Sequence, residues 1–226
     1  LGKVKITRPV KALDIIIRTC PNVNMLTQNK ARLFEREKIE YTLRTIISII
    51  NSVNYNPMLK KIRISYKVVD HNSSRENLLK IDTIFKKYNI DYKLINLDVS
   101  KFEKEIHEVN ERGDKVSYNQ ISNMANINQS LEESKNSEDL IYFVEDDYIH
   151  QKNSIGEMIL AYERIASQFN KEIIICPSDY PYLYTKTEPT QNFLGQDYHW
   201  RKVNETLCTF LTSKKMVEKY WDKYLS

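Results

Sequence analysis

Three adjacent carboxylates, Glu145-Asp146-Asp147, follow directly on the apolar run Ile141-Tyr142-Phe143-Val144. Acids crowded together repel one another and are costly to desolvate. A divalent cation relieves that repulsion, and carboxylates are the hard oxygen ligands that Mg²⁺ or Mn²⁺ prefers. In extended chain Glu145 and Asp147 project to one side and Asp146 to the other, so two acids can serve one ion directly or through water. The competing reading is a solvated acidic loop capping the helix that begins near Ser154.

Three further sets of residues could carry chemistry. In Val68-Val69-Asp70-His71-Asn72-Ser73-Ser74 an Asp closes an apolar run and Ser/Asn residues open the next element; plain helix capping is the alternative. In Arg18-Thr19-Cys20-Pro21 an Arg after four apolar residues can reach into a cleft or salt-bridge a neighbour. The stretch from Ser178 to Arg201 holds Asp179-Tyr180-Pro181 and Asp197-Tyr198-His199-Trp200-Arg201. Aromatic faces beside carboxylates suit sugar recognition, and a packed Tyr-rich lobe is the other reading. A lone His such as His199 gains weight only from lying beside that cleft.

The elements that must position these groups are legible from periodicity. Leu13 to Thr19, Ile62 to Val69, Asp91 to Leu97, Leu140 to Val144 and Glu172 to Cys176 read as strands, with Thr206 to Leu211 as a late one. Leu33 to Val53 reads as a helix closed by Pro57, with Ile39, Leu43, Ile46, Ile47 and Ile50 on one face. Capping boxes at Ser73/Glu76 and Ser154/Glu157 open two more helices. The second of these turns Met158, Ala161, Tyr162, Ile165 and Phe169 inward. Ser117 to Ser134 is a helix, and Val217, Tyr220, Trp221 and Tyr224 mark a last one. Asp98 to Lys115 is charged and reads as irregular or marginally helical. Strands alternating with helices predict an α/β fold with a mostly parallel central sheet, and in such sheets ligands bind beyond the carboxyl ends of the strands.

The bulk numbers narrow the function classes. The chain has 226 residues, 41% hydrophobic and 28% charged, with a formal net charge of +4. The cations are interleaved with Glu rather than gathered into a stripe, which argues against nucleic acid as partner. No window reaches the ~20 apolar residues of a membrane span. Three cysteines without a Cys-x-x-Cys, and no signal-peptide pattern, read as reduced thiols of a cytoplasmic protein. The sequence opens at Leu1 and closes at Ser226, as a piece of a longer protein would. Only four glycines occur, at 2, 113, 156 and 195, so neither a dinucleotide-binding turn nor a Walker loop can be built. A diphosphate bound here must be met by a metal ion and side chains.

In chain order these pieces resemble the GT-A fold glycosyltransferases, in particular the family 2-like group. The matches are IIIRTCP (Ile15 to Pro21), VVDHNSS (Val68 to Ser74), loosely SYNQISNMANINQS (Ser117 to Ser130), and IYFVEDDYIH (Ile141 to His150) at the family's Asp-x-Asp motif. Glu145 stands at the first Asp of that motif and Asp147 at the second. The resemblance spans about residues 13 to 212, with specific motifs at the second and fourth strands. It implies a GT-A, Rossmann-like α/β fold with helices flanking the sheet. One catalytic domain would cover 1–226, with a nucleotide-binding half at 13–150 and an acceptor-side half at 151–226.

The implied activity is metal-dependent transfer of a sugar from a nucleotide diphosphate donor to the hydroxyl of a sugar or glycan acceptor. The resemblance places Arg18, Thr19, Asp70, Asn123, Glu145 and Asp146 at the nucleotide sugar. It places Asp147, Glu145 and a late His199 on Mn²⁺ or Mg²⁺; an inverting enzyme also needs a carboxylate base, and of the two on the acceptor side Asp179 ranks ahead of Asp197 because it directly follows the fifth expected strand. Two rival readings are a nucleotidyltransferase of sugar phosphates and a non-catalytic protein that binds nucleic acid or a partner.

Overall fold

The computed structural model describes residues 4–21, 36–102, 109, 113, 115–185 and 187–225. Its centre is a five-stranded sheet in the order β3-β2-β1-β4-β7. The strands are β1 (Ala12–Thr19), β2 (Arg63–Asp70), β3 (Tyr92–Asn96), β4 (Leu140–Glu145) and β7 (Phe210–Ser213). The first four run parallel, and β7 pairs antiparallel with β4. Every residue of β1 is buried, which is why its run is apolar throughout rather than alternating.

Two helical layers cover this sheet. The helices α1 (Lys38–Tyr55), α2 (Arg75–Lys87) and α4 (Ser154–Phe169) close one face over Leu13, Ile15, Ile17, Val68, Tyr142 and Val144. On the other face α3 (Tyr118–Ser134) and the short α5 (Lys214–Lys219) cover Ile16, Val69, Ile141 and Phe143. The chain is thus an α/β fold with a mostly parallel central sheet between helices. Alternate residues of β1 and β4 serve opposite layers, so Arg18 and Glu145 face α3 while Thr19 and Asp146 face α1 and α2.

Several expected boundaries move. Glu172 to Cys176 is not a fifth strand: Ile175 alone makes a bridge, antiparallel to Leu211, and Pro177 two residues on has no N–H to extend it. The late strand lies at Phe210–Ser213 rather than Thr206 to Leu211. The first helix starts at Lys38, and the Leu33 end of its predicted span lies outside the described residues. Ser74, not Ser73, caps α2, accepting from the Asn77 N–H, because the Ser73 side chain is drawn to Asp70.

At α4 the capping residue is Asn153, with no side-chain cap bond. Ser154 instead meets Ser52 on α1, and Glu157 turns away from the helix end. Phe169 is half exposed and sets its edge against Phe193 rather than entering the core. The final helix breaks at Tyr220 into α5 and α6 (Trp221–Leu225). Within Asp98 to Lys115, Val99–Phe102 forms one 3₁₀ turn and Val109 bridges Lys115; 103–108, 110–112 and 114 lie outside the described residues.

Candidate active site at the carboxyl edge of the sheet

The strand order reverses between β1 and β4: the chain steps from β1 outward to β2 and β3, then returns to the other side of β1. A crevice opens beyond the carboxyl ends of strands at such a switch point, and this is where α/β sheets hold their ligands. Arg18 and Glu145 are register partners there. Their side chains meet with Arg18 Nη2 3.0 Å from Glu145 Oε1, a charge contact without hydrogen-bond alignment. Arg18 Nη1 also lies 3.4 Å from Asn123 Oδ1 on α3. Arg18, Asn123 and Glu145 are therefore brought together by β1, α3 and β4.

The chain turns at Asp146 and Asp147, which gives the three acids different partners. Asp146 is buried against α1 and the β1 exit. Its Oδ2 accepts from the Thr42 hydroxyl at 2.7 Å and the Cys20 N–H at 3.3 Å, and Lys38 Nζ stands 3.3 Å from Oδ1. With so many internal partners, Asp146 anchors the acidic turn to α1. Asp147 keeps a solvent-facing surface, although protein packs closely behind it. That packing, followed by repulsion from Asp146 and Glu145, pushes its carboxyl up to about 6, against a weaker opposing pull from Lys38. Because the side chain remains open to water, the like-charge repulsion is the firmer part of the cause.

Asp70 and Thr19 are both buried at the same edge. Thr19 Oγ1 donates to Asp70 Oδ1 at 2.7 Å, while Ser73 donates to Asp70 through its hydroxyl and its backbone N–H. Both carboxylate oxygens are thereby engaged in shaping the β2–α2 turn, where Asn72 adopts φ +56°, a left-handed conformation that Asn tolerates. The neighbouring Asn126, which the motif reading passes over, spans the ends of two strands. Its Nδ2 donates to Val69 O at 3.3 Å and Thr19 O at 3.5 Å, leaving Oδ1 buried without a partner among the described residues. Cys208 and Thr209 also enter the wall. Thr209 Oγ1 accepts from the Glu145 N–H at 3.2 Å, and burial raises the Cys208 thiol beside Arg18 and Glu145. Only contacts across some sixty residues of sequence reveal that pair.

The other expected residues lie on a separate wall. A cleft of about 840 Å³ opens beside the acidic turn, lined by Tyr148, His150, Tyr180, Tyr184, Trp200 and Arg201 among others. Its outer side is a hairpin of β5 (Asn192–Leu194) and β6 (His199–Arg201). Asp179 is exposed there, with both oxygens engaged: Tyr184 donates its hydroxyl to Oδ2, and Arg201 lies 3.0 Å from Oδ1. The Tyr184 bond, then Arg201, holds the Asp179 carboxyl below its ordinary range. Asp197 in the hairpin turn accepts from Asn153 Nδ2 at 2.8 Å through Oδ2. His199 is exposed at the start of β6.

Among the described residues no three His, Cys, Asp or Glu side chains converge into a metal-binding group, so Glu145, Asp147 and His199 do not form a preformed cage. The donor chemistry nonetheless fits an ion bound partly by a ligand. Mg²⁺ and ions like it commonly take one or two carboxylates and complete their shell with phosphate oxygens and water. The uncompensated repulsion at Asp147 is the charge that such an ion would relieve.

No protein-family model and no curated protein matches this chain. A likeness in structure exists to the crystal structure of S. aureus TarS 1-349, with TM-score 0.47 and 12% identity over 92% of this chain. The chain spans 48% of the length of that one. No helix of the described residues is long and apolar enough to cross a membrane.

Proposed function

We propose that this chain is a glycosyltransferase that moves a sugar from a nucleotide diphosphate donor to an acceptor hydroxyl, with Mn²⁺ or Mg²⁺ bound at Asp147 and Glu145. The observation that carries this reading is the Arg18–Glu145 contact beside Asp147 at the switch point of the sheet. It sets a cation beside a carboxylate whose repulsion by its neighbours is only partly relieved, at the edge where an α/β sheet takes its ligand. The family resemblance of the motifs supplies the reaction class. A bound divalent ion would neutralise charge on the diphosphate leaving group.

Around that ion the chain's own residues have distinct tasks. Arg18 and Asn123 would contact the nucleotide, while Asp146 braces the acidic turn and Asp70 and Thr19 brace the adjoining one. The aromatic cleft would receive the acceptor, whose hydroxyl needs a carboxylate within hydrogen-bond reach. Asp179 lines that cleft, and Asp197 stands in the hairpin turn that borders it. Asp197 Oδ2 alone has a side-chain donor, whereas Asp179 must first release Tyr184 or Arg201. We expect Asp197→Asn or Asp179→Asn to abolish transfer while nucleotide binding persists; turnover of the two variants decides between them.

The reading is tested by thermal melts with nucleoside diphosphates and their sugars, each with and without Mn²⁺. A metal-dependent rise with one nucleotide is expected, about 2.7 kcal/mol at a hundredfold excess over Kd. Sugar transfer rather than pyrophosphate release would then set it apart from a nucleotidyltransferase. Absence of any nucleotide effect on folded protein would overturn the proposal.

A further inference from the structure

Glu157 lies on α4, 2% exposed, and its carboxylate has no cationic partner among the described residues. It is met instead by three N–H donors from one short stretch of the distant hairpin. Oε1 accepts from the Gln196 N–H at 3.0 Å and the Trp200 indole Nε1–H at 3.0 Å, while Oε2 accepts from the Asp197 N–H at 2.9 Å. Gly195 completes the fit: a Cβ there would sit 2.1 Å from Glu157 Oε1 and 2.5 Å from Trp200 Nε1. Burying a carboxylate is costly unless its hydrogen bonds are met, and an apolar residue at this core position would avoid that cost. The arrangement therefore has the character of a specific grip rather than of core filling.

What the grip holds is otherwise weakly held. Each hairpin strand has three residues, and an isolated two-stranded hairpin is marginal in water. Its turn closes through Gly195 N–H to Tyr198 O at 2.8 Å. Both carboxylates proposed as base depend on this hairpin. Asp197 sits in the turn, and Arg201 on β6 is the ion partner of Asp179. The α4 helix that carries Glu157 is joined to the acidic turn through only a short loop, so Glu157 references the acceptor wall to the metal wall.

We infer that Glu157, with Gly195, is a positioning residue: it fixes the β5–β6 hairpin so that Asp197 in its turn, the Trp200 face and the Arg201 that holds Asp179 keep one arrangement beside the cleft. The inference rests on the glycosyltransferase reading for its catalytic consequence, but the grip itself can be tested without it.

The experiment uses the full chain in a Trp221→Phe background, leaving Trp200 as the one tryptophan, and compares Glu157→Gln with Gly195→Ala. Acrylamide quenching of Trp200 is expected to rise at least twofold in both variants, with a cooperative melt retained. Release of nucleoside diphosphate from UDP-glucose, UDP-N-acetylglucosamine and GDP-mannose in Mn²⁺ is measured in parallel. The expected result is a tenfold or greater loss in kcat, with donor KM within twofold of the parent, because Arg18 and Asp147 are not on the hairpin. Unchanged quenching in both variants overturns the grip. Raised quenching with unchanged kcat overturns the positioning role. If the parent itself releases no nucleoside diphosphate, the transferase reading fails and with it the catalytic role, while quenching still decides the grip.

Discussion

At the scale of single residues, the acidic turn separates three neighbours that look alike in sequence. Asp146 is consumed by Thr42, Cys20 and Lys38; Glu145 leans on Arg18; Asp147 keeps the unrelieved charge. A carboxyl whose folded pKa lies above its unfolded value opposes folding once ionised, so at neutral pH Asp147 costs stability. Asp147→Asn should stabilise the ligand-free protein by on the order of 0.5–1 kcal/mol and so raise its melting temperature. That is less than a carboxyl at about 6 implies alone, because its open face is screened by water. The same variant should lose the Mn²⁺-dependent nucleotide effect. A variant that is both destabilised and fully responsive to Mn²⁺ would exclude Asp147 as the metal carboxylate.

At the scale of elements, the acidic turn is held from behind by His150. Ser48 Oγ donates to Thr45 O at 2.8 Å, so it must accept from the His150 ring, whose Nδ1 is 3.3 Å away. The network thus assigns the proton to Nδ1 and leaves Nε2 to accept from the Tyr142 hydroxyl at 2.7 Å. Burial, only partly offset by a backbone bond at Tyr148, pushes His150 down to about 4. Between pH 6.5 and about 4 the unfolded chain therefore binds a proton that the folded one refuses. Stability should fall with acidification across that window, by up to ~1.4 kcal/mol per pH unit for one proton. Urea titrations at stepped pH should show this slope in the parent and a flatter one in His150→Gln. Parallel slopes would remove His150 as the cause.

The same scale explains what the sequence made legible. β1 and β4 are readable because buried parallel strands leave continuous apolar runs, and the acids of 145–147 stand out against such a run, while the half-buried β2 and the largely exposed β3 show only as short stretches of β-branched and aromatic residues. Glu172 to Cys176 carries the same signal and fails, since β-branched composition does not say whether an edge is free to pair. The β5–β6 hairpin gives no signal at all, with three residues a strand. Glu157 looks like a capping acid because the local pattern Ser154/Glu157 fits; its real partners stand some forty residues away. Asn126 and Thr209 were hidden for the same reason, as their contacts are made across the sheet rather than along the chain.

At the scale of the whole molecule, binding groups and a strong polar clamp occupy opposite ends of the sheet. At the amino ends of the strands Arg8 ties the leader to Asp139, just before β4, and to Glu172, just after α4. Burial alone would raise the Glu172 carboxyl, but hydrogen bonds from Arg8, Tyr162 and Ser213 outweigh it and hold it at about 2. A depressed carboxylate stabilises the fold above its unfolded pKa near 4.5, and that contribution is lost as pH falls toward 2. Arg8→Ala strands two partly buried acids and should cost roughly 2–3 kcal/mol, about 5–10 °C in a chain of this size. The clamp makes no contact with Arg18, Asn123, Glu145 or Asp147, although Glu172 also lines the aromatic cleft, so the Mn²⁺-dependent nucleotide shift should persist at full size on the lowered baseline. Calorimetry of Arg8→Ala beside Asp147→Asn, each with and without nucleotide and Mn²⁺, should give opposite signatures. Loss of the nucleotide shift in Arg8→Ala would mean that the two ends of the sheet are coupled, and that the carboxyl-edge crevice is not set by the local contacts of Arg18, Thr42 and Asp146 alone.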